Sequence, residues 1–269
     1  MILGIETSSA IASVAVGNDK EIRSELIVQA GLTHSEQLVP HIEMVLTTGK
    51  IKKSDITGIA VTIGPGSFTG LRIGLGTAKA LAYAWNVPVV GVLTTDVLAQ
   101  GFMYSNYRVC TVVDAQKKQV YARQYEWNGT TIDALDSVEV HQVPELLTSL
   151  VKLCEEHPVV IVGDGLKRLE KEYALGIEEG RIDPMRLVLG HESKQRPRAS
   201  HVIQVALPQF VSGTIPDAQS IEPFYIRKSE AEVVWDEKNK HILATGNYVE
   251  PTVAVSYTHL RAHETEADL

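Results

Sequence analysis

Residues 2–29 read ILGIETSSAIASVAVGNDKEIRSELIVQ. Three runs rich in Ile and Val, at 2–6, 11–17 and 22–29, are separated by Thr7-Ser8-Ser9 and by Gly17-Asn18-Asp19-Lys20. β-Branched residues suit strands and the small polar clusters are turn signals, so the stretch predicts a three-stranded antiparallel meander. This opening is not the strand–helix–strand unit of a dinucleotide-binding fold, whose first strand feeds directly into a glycine-rich turn and helix.

Outward from the meander, Thr33 and Glu36 have the spacing of a capping box, and Leu38, Val39, Ile42, Val45 and Leu46 recur on one helical face before Gly49. A helix is expected over 34–48, kinked at Pro40. An apolar strand at 58–63 runs into Gly64-Pro65-Gly66, a helix follows over 69–85, and a buried strand spans 87–93. A second set then begins: strands at 108–114 and 119–127, a polar hairpin near 128–140, a helix at 143–154, a strand at 158–163, the turn Gly163-Asp164-Gly165, and a helix at 199–212. A meander thus opens each of two similar sets. That duplication is the order expected of an α/β protein with two ribonuclease-H-like lobes, the fold shared by actin, sugar kinases and Hsp70 chaperones (the ASKHA superfamily). The expected division is an N-terminal lobe over 1–104, a C-terminal lobe over 105–228, and a tail over 229–269 that is poorly ordered or partly non-native.

The bulk properties narrow the function. The chain has 269 residues, 44% hydrophobic and 22% charged, within the range of ordinary folded domains. A net charge of −8 gives no broad basic footprint, which disfavours autonomous tight binding to nucleic acid. The two cysteines, Cys110 and Cys154, lie in separate apolar segments and read as buried free thiols rather than a disulfide framework. The start Met-Ile-Leu-Gly-Ile-Glu lacks signal-peptide features and no apolar run reaches membrane-spanning length, so a cytoplasmic, membrane-free protein is expected.

Two places could carry chemistry. Glu6, Thr7 and Ser8 follow the first strand, and Asp114 ends the first strand of the second set; at equivalent turns of two lobes, these carboxylates could face each other and hold a cation through water. Local hydrogen bonding in a hairpin explains the Glu-Thr-Ser turn equally well. The other place is Gly64-Pro65-Gly66-Ser67-Phe68-Thr69-Gly70-Leu71-Arg72-Ile73-Gly74-Leu75-Gly76. Gly64 and Gly66 precede a helix N-terminus, where backbone N–H groups can approach a phosphate. The run lacks the Gly-Lys-Ser/Thr ending of a P-loop, so at most a vestigial nucleotide or phosphate site is expected at Glu6, Thr7, Ser8, Gly64, Gly66 and Asp114. Its plainer message is packing. Gly70, Gly74, Ala78 and Ala82 recur every four residues, a stripe that admits a close neighbour, either the helix at 34–48 or a helix of a partner. His34 and His41 are seven apart, not the four of a helical metal pair, and no metal site is expected. Arg181, Arg186, Lys194, Arg196 and Arg198 form a basic stretch that reads either as solvated surface or as a phosphate contact.

Ile5-Glu6-Thr7-Ser8, Ala12-Ser13-Val14-Ala15-Val16 and the run from Gly64 to Gly74 together resemble the TsaB (YeaZ) family. Asp114-Ala115 with Val120-Tyr121, and Pro223-Phe224-Tyr225-Ile226-Arg227, extend the resemblance across residues 1–228. It implies a non-catalytic dimerisation subunit that pairs with a TsaD-type transferase, joined by a TsaE-type ATPase, for threonylcarbamoylation of the adenosine beside the tRNA anticodon. TsaD-like relatives carry a His-x-x-x-His metal pair, which this sequence lacks. The resemblance further implies an interface on the helices at 34–48 and 69–85, through His34, Leu38, Ile42, Val45, Gly70, Arg72, Gly74 and Ala78. A charge at Gly74 or Ala78 is accordingly expected to abolish pairing while leaving the monomer folded. No intrinsic cofactor is implied, with ATP or ADP at the complex interface; a homodimer forms when the chain is alone, and tRNA is met only through the complex. The alternative reading is an active actin-like ATPase or sugar kinase using Glu6 and Asp114.

Overall fold

The computed structural model describes residues 1–29, 34–191 and 196–226, and only the backbone of His34 and Ser35. The Thr33 capping box, Lys194 and the tail over 229–269 lie outside the described residues.

Strand β1 (Ile2–Glu6) pairs antiparallel with β2 (Ala12–Gly17), with Leu3 opposite Val16 and Ile5 opposite Val14, and β2 pairs antiparallel with β3 (Ile22–Val28). On its other side β1 lies parallel to β4 (Gly58–Gly64), which is parallel to β5 (Val89–Leu93), giving the order β3-β2-β1-β4-β5. All five residues of β1 and all six of β2 are buried, so both sheet faces need cover. Helices α1 (His34–Gly49) and α2 (Phe68–Trp85) cover one face, where Leu38, Ile42 and Val45 meet Leu75 and Ala78 over Leu3, Ile5 and Val61.

The second sheet repeats the plan. Strand β6 (Arg108–Asp114) pairs antiparallel with β7 (Gln119–Trp127), which carries β8 (Ile132–Ala134) and β9 (Glu139–Gln142). On the far side β6 lies parallel to β10 (Val159–Val162), and β10 to β11 (Leu187–Leu189). Helices α4 (Val143–Leu153) and α5 (Leu166–Glu178) cover it. In both sheets the first strand is central, between its hairpin partner and a parallel strand. This is a duplicated ribonuclease-H-like α/β topology.

Three elements go beyond the sequence reading. Helix α3 (Thr94–Ala99) leads from the first sheet toward the second, and β11 adds a sixth strand to the second sheet, on its parallel side. Helix α5 follows the Gly163-Asp164-Gly165 turn, and its buried Leu166, Leu169, Tyr173 and Gly176 carry a helical period that was available in the sequence. Helix α6 (Ala199–Ser212) has the expected bounds but not the expected place. Its Ala199, Val202, Ile203 and Ala206 pack on Ile2, Ala15, Ala60 and Val90 of the first sheet, not on the second lobe. The bare second face of β1 and β2 is apolar and must be covered, and Glu25 of β3 holds the start of α6 there. Glu25 Oε1 accepts from Ser200 N at 3.0 Å and Ser200 Oγ at 2.8 Å, and its other oxygen pairs with Arg198. Burial pushes the Glu25 carboxyl up, but these donors and the Arg198 charge bring it below its ordinary value.

Candidate functional site

The glycine run closes on the β1–β2 turn. Gly64 ends β4 at φ +121°, a conformation favouring glycine, and a Cβ there would also meet the Phe224 carbonyl at 2.9 Å. Ser67 N donates to Ser8 O at 2.6 Å, and Thr7 Oγ1 donates to Gly70 O at 2.8 Å. A Cβ on Gly66 would run into the Ser8 carbonyl, one on Gly70 into the Thr7 carbonyl, and one on Gly74 into Thr7 Oγ1. Two amides at the helix start are engaged within the chain: Gly70 N donates to Ser67 Oγ at 3.3 Å and Leu71 N to Ser67 O at 2.9 Å. Close packing against the β1–β2 turn and the Phe224 segment accounts for glycine at 64, 66, 70 and 74.

Glu6 is fully buried, and its Oε1 accepts from Ser8 N at 2.6 Å and Ser8 Oγ at 2.5 Å. Its Oε2, like Thr62 Oγ1, makes no hydrogen bond among the described residues. Burial raises the Glu6 carboxyl to about 7; the Ser8 bonds and the nearby Thr62 hydroxyl oppose this in part, and the charge of Asp164 adds to it. Asp114 is not its counterpart. Its carboxylate takes Arg168 Nε at 3.0 Å, Arg168 Nη2 at 2.9 Å and Gln116 N at 2.8 Å. The acid bearing on Glu6 is Asp164, whose Oδ1 accepts from Asp114 N at 3.1 Å and whose carboxyl burial also raises. The sequence reading noted its turn but not its side chain. The crevice lined by Ser8, Ser9, Thr94 and Asp164 has no room for even a water-sized sphere, so it is no ligand pocket. Asp114 is thus committed to Arg168, which leaves a paired-carboxylate cation site with Glu6 unsupported among the described residues.

The expected interface residues divide. Leu38, Ile42, Val45, Gly70, Gly74 and Ala78 are buried within the chain, facing the first sheet and Thr7. They cannot touch a partner directly, and a charge at Gly74 or Ala78 would disrupt the monomer itself. The side chain of His34 lies outside the described residues. Arg72 is exposed but engaged: its guanidinium sits 4.0 Å over Phe68, its Nε donates to Tyr225 Oη at 3.1 Å, and Tyr225 stacks on Phe68 at 4.6 Å. The outward faces of the same helices present other residues, Val39 (47% exposed) and Met44 (55%) on α1, with Tyr83 (92%), Gly76 and Ala80 on α2. On α2, Gly76 and Ala80 stand two residues on from Gly74 and Ala78, about 200° round the helix and so opposite the small-residue stripe, which makes helical phase the signal that could have found them.

Three arginines of the basic stretch are used internally. Arg181 pairs with Glu172 and Glu179, Arg186 Nε donates to Cys154 O at 2.5 Å, and Arg198 pairs with Glu25. Cys110 and Cys154 are buried free thiols. Among the described residues no group of three or more His, Cys, Asp or Glu is placed to hold a metal ion, and no helix is long and apolar enough to cross a membrane.

A protein-family model described as TsaD, tRNA N6-adenosine threonylcarbamoyltransferase, matches residues 28–235. The tRNA threonylcarbamoyladenosine biosynthesis protein TsaB of Escherichia coli K12 is 31% identical over 242 residues, covering 86% of this chain and 96% of the relative. The protein of the same name from Bacillus subtilis is 25% identical, covering 89% and 99%. Among solved structures, YeaZ from Pseudomonas aeruginosa is similar in fold, with a TM-score of 0.66 at 24% identity over 84% of this chain and 99% of that chain.

Proposed function

This chain belongs to the TsaB (YeaZ) family of tRNA threonylcarbamoyladenosine biosynthesis proteins, and on that premise we propose that it is the non-catalytic subunit of the complex. It pairs with a TsaD-type transferase through the outward faces of α1 and α2. The observation that carries this reading is the exposure of Val39, Met44 and Tyr83 on two neighbouring helices. Large apolar side chains left in water are stabilised when a partner covers them. Gly76 and Ala80 are also exposed on α2, and the space around Gly76 is open, which allows another helix to approach closely. The filled lobe junction, with Glu6 closed off and Asp114 held by Arg168, supports a structural rather than a catalytic role for that region.

In this reading a TsaE-type ATPase joins the pair, ATP or ADP sits at the complex interface, and tRNA is met only through the complex, in the cytoplasm. Without its partner the chain covers the same faces by forming a homodimer. The test is reconstitution with the transferase and ATPase subunits of the same organism. Threonylcarbamoyladenosine formation is expected with all subunits and not from this chain alone. Product formed by this chain alone, or undiminished product without it, refutes the proposal.

A further inference from the structure

On the side of the molecule formed by α3, the β7–β8 hairpin and α6, a polar pair is held in place beside an open cavity. Arg123 and Tyr125 alternate along β7 and so share a face. Both reach Asp96 in the first turn of α3: Tyr125 Oη donates to Asp96 Oδ1 at 2.6 Å and Arg123 Nη1 to the same oxygen at 2.8 Å. Arg123 Nε also donates to Asp136 O at 2.8 Å, which fixes the plane of the guanidinium. Among the described residues, Asp96 Oδ2 and Arg123 Nη2 carry no hydrogen bond, although both side chains line a cavity of about 620 Å³. Its remaining walls include the apolar Met103, Ile132, Val205 and Pro208. The volume is within the range of small-molecule sites, and polar groups, Gln100, Thr130, Thr131 and Gln204 among them, share the lining with the apolar ones.

The chemistry of the pair selects a ligand class. A free carboxylate oxygen beside a free guanidinium N–H offers one acceptor and one donor with no net charge. Asp133 also lines the cavity, so Asp96, Arg123 and Asp133 sum to −1 and disfavour a phosphorylated ligand. We propose that this cavity binds an uncharged planar heterocycle with an amidine or amide edge, of the nucleobase or nucleoside kind, its N–H on Asp96 and its ring nitrogen or carbonyl on Arg123. The apolar walls cover the flat faces of the ring. This site is separate from the outward faces of α1 and α2 and does not depend on the partner reading.

The test is calorimetric or NMR titration of the full chain with adenosine and cytidine, with ribose and adenosine 5′-monophosphate as controls. Saturable binding of the nucleosides is expected, weaker for the monophosphate and absent for ribose. In Asp96→Asn the amide oxygen goes on accepting from Tyr125 and Arg123, which turns the NH2 toward the cavity in place of an acceptor. Affinity should fall about tenfold or more, the scale of a hydrogen bond to a charged group. Gln204→Trp, at an exposed position on the cavity wall, should abolish binding without touching the pair. Failure to saturate at millimolar nucleoside, equal binding of ribose or of the monophosphate, or unchanged affinity in either variant overturns the assignment. Thermal unfolding of both variants identifies any that fails to fold, and the other then carries the test.

Discussion

The hydroxyl of Thr7 donates to the carbonyl of Gly70 across 2.8 Å, joining the β1–β2 turn to the first turn of α2. The side chain of Thr7 also lies against Gly74, one turn further along the same helix. The glycines at 70 and 74 are therefore sites of contact between backbone and turn within one lobe.

Gly74→Ala should destabilise the chain despite alanine's better helix propensity. The new Cβ meets Thr7 Oγ1, and overpacking of this kind costs about 1–3 kcal/mol. Thr7→Ala removes the obstructing atom, so the double variant should be more stable than the sum of the two single changes by about 1 kcal/mol or more. Urea denaturation of the four proteins measures this, and strict additivity would count against the contact.

Charges on the outward helix faces should separate binding from folding where charges on the stripe would not. Met44→Glu and Tyr83→Glu sit at exposed positions and are expected to leave melting unchanged within about 0.5 kcal/mol. Each should weaken association with the transferase subunit by about tenfold or more, because a buried unpaired charge costs well over 1 kcal/mol. Size-exclusion co-elution and calorimetry give both readouts.

The raised Glu6 carboxyl predicts a pH effect of definite sign. A folded-state value of about 7 against the ordinary carboxyl value of 4.5 means that the native state binds this proton more tightly than the unfolded chain does. Its contribution is complete below about pH 4.5 and is lost as pH rises toward 7. Glu6→Gln removes it, so the stability of wild type relative to Glu6→Gln should fall between pH 5 and pH 8, by at most about 3 kcal/mol. Paired denaturation curves at the two pH values test this, and a constant difference would refute it.

The segment carrying Phe224 and Tyr225 is fastened to the glycine run by Phe224 N donating to Ile63 O at 2.7 Å and by the Phe68–Tyr225–Arg72 stack. Tyr225→Ala should cost about 1–2 kcal/mol, while Tyr225→Phe keeps the stack and loses one half-exposed hydrogen bond, costing under about 1 kcal/mol. Thermal denaturation ranks the two.

Much of the fold was legible because its signals are local. Alternating Ile and Val between turn residues marked the meander, and helical periods placed the helices at 34–48, 69–85 and 199–212 close to their observed bounds. Helix α5 had such a period but a mean composition dominated by charge, and β11 is three residues long, too short to show a pattern. The glycine run was equally plain as a four-residue stripe of small residues. Periodicity states that something approaches closely and cannot say what, since the same stripe suits a strand turn, a neighbouring helix or a partner. Only the tertiary structure decided that Thr7 occupies Gly70 and Gly74, that α6 crosses back to the first sheet, and that Asp164 rather than Asp114 bears on Glu6. Those are pairings between residues 60 to nearly 190 positions apart, as in Thr7 with Gly70 and Ser13 with Ala199. Sequence specifies which surfaces must be buried; chain packing selects the partner that buries each one.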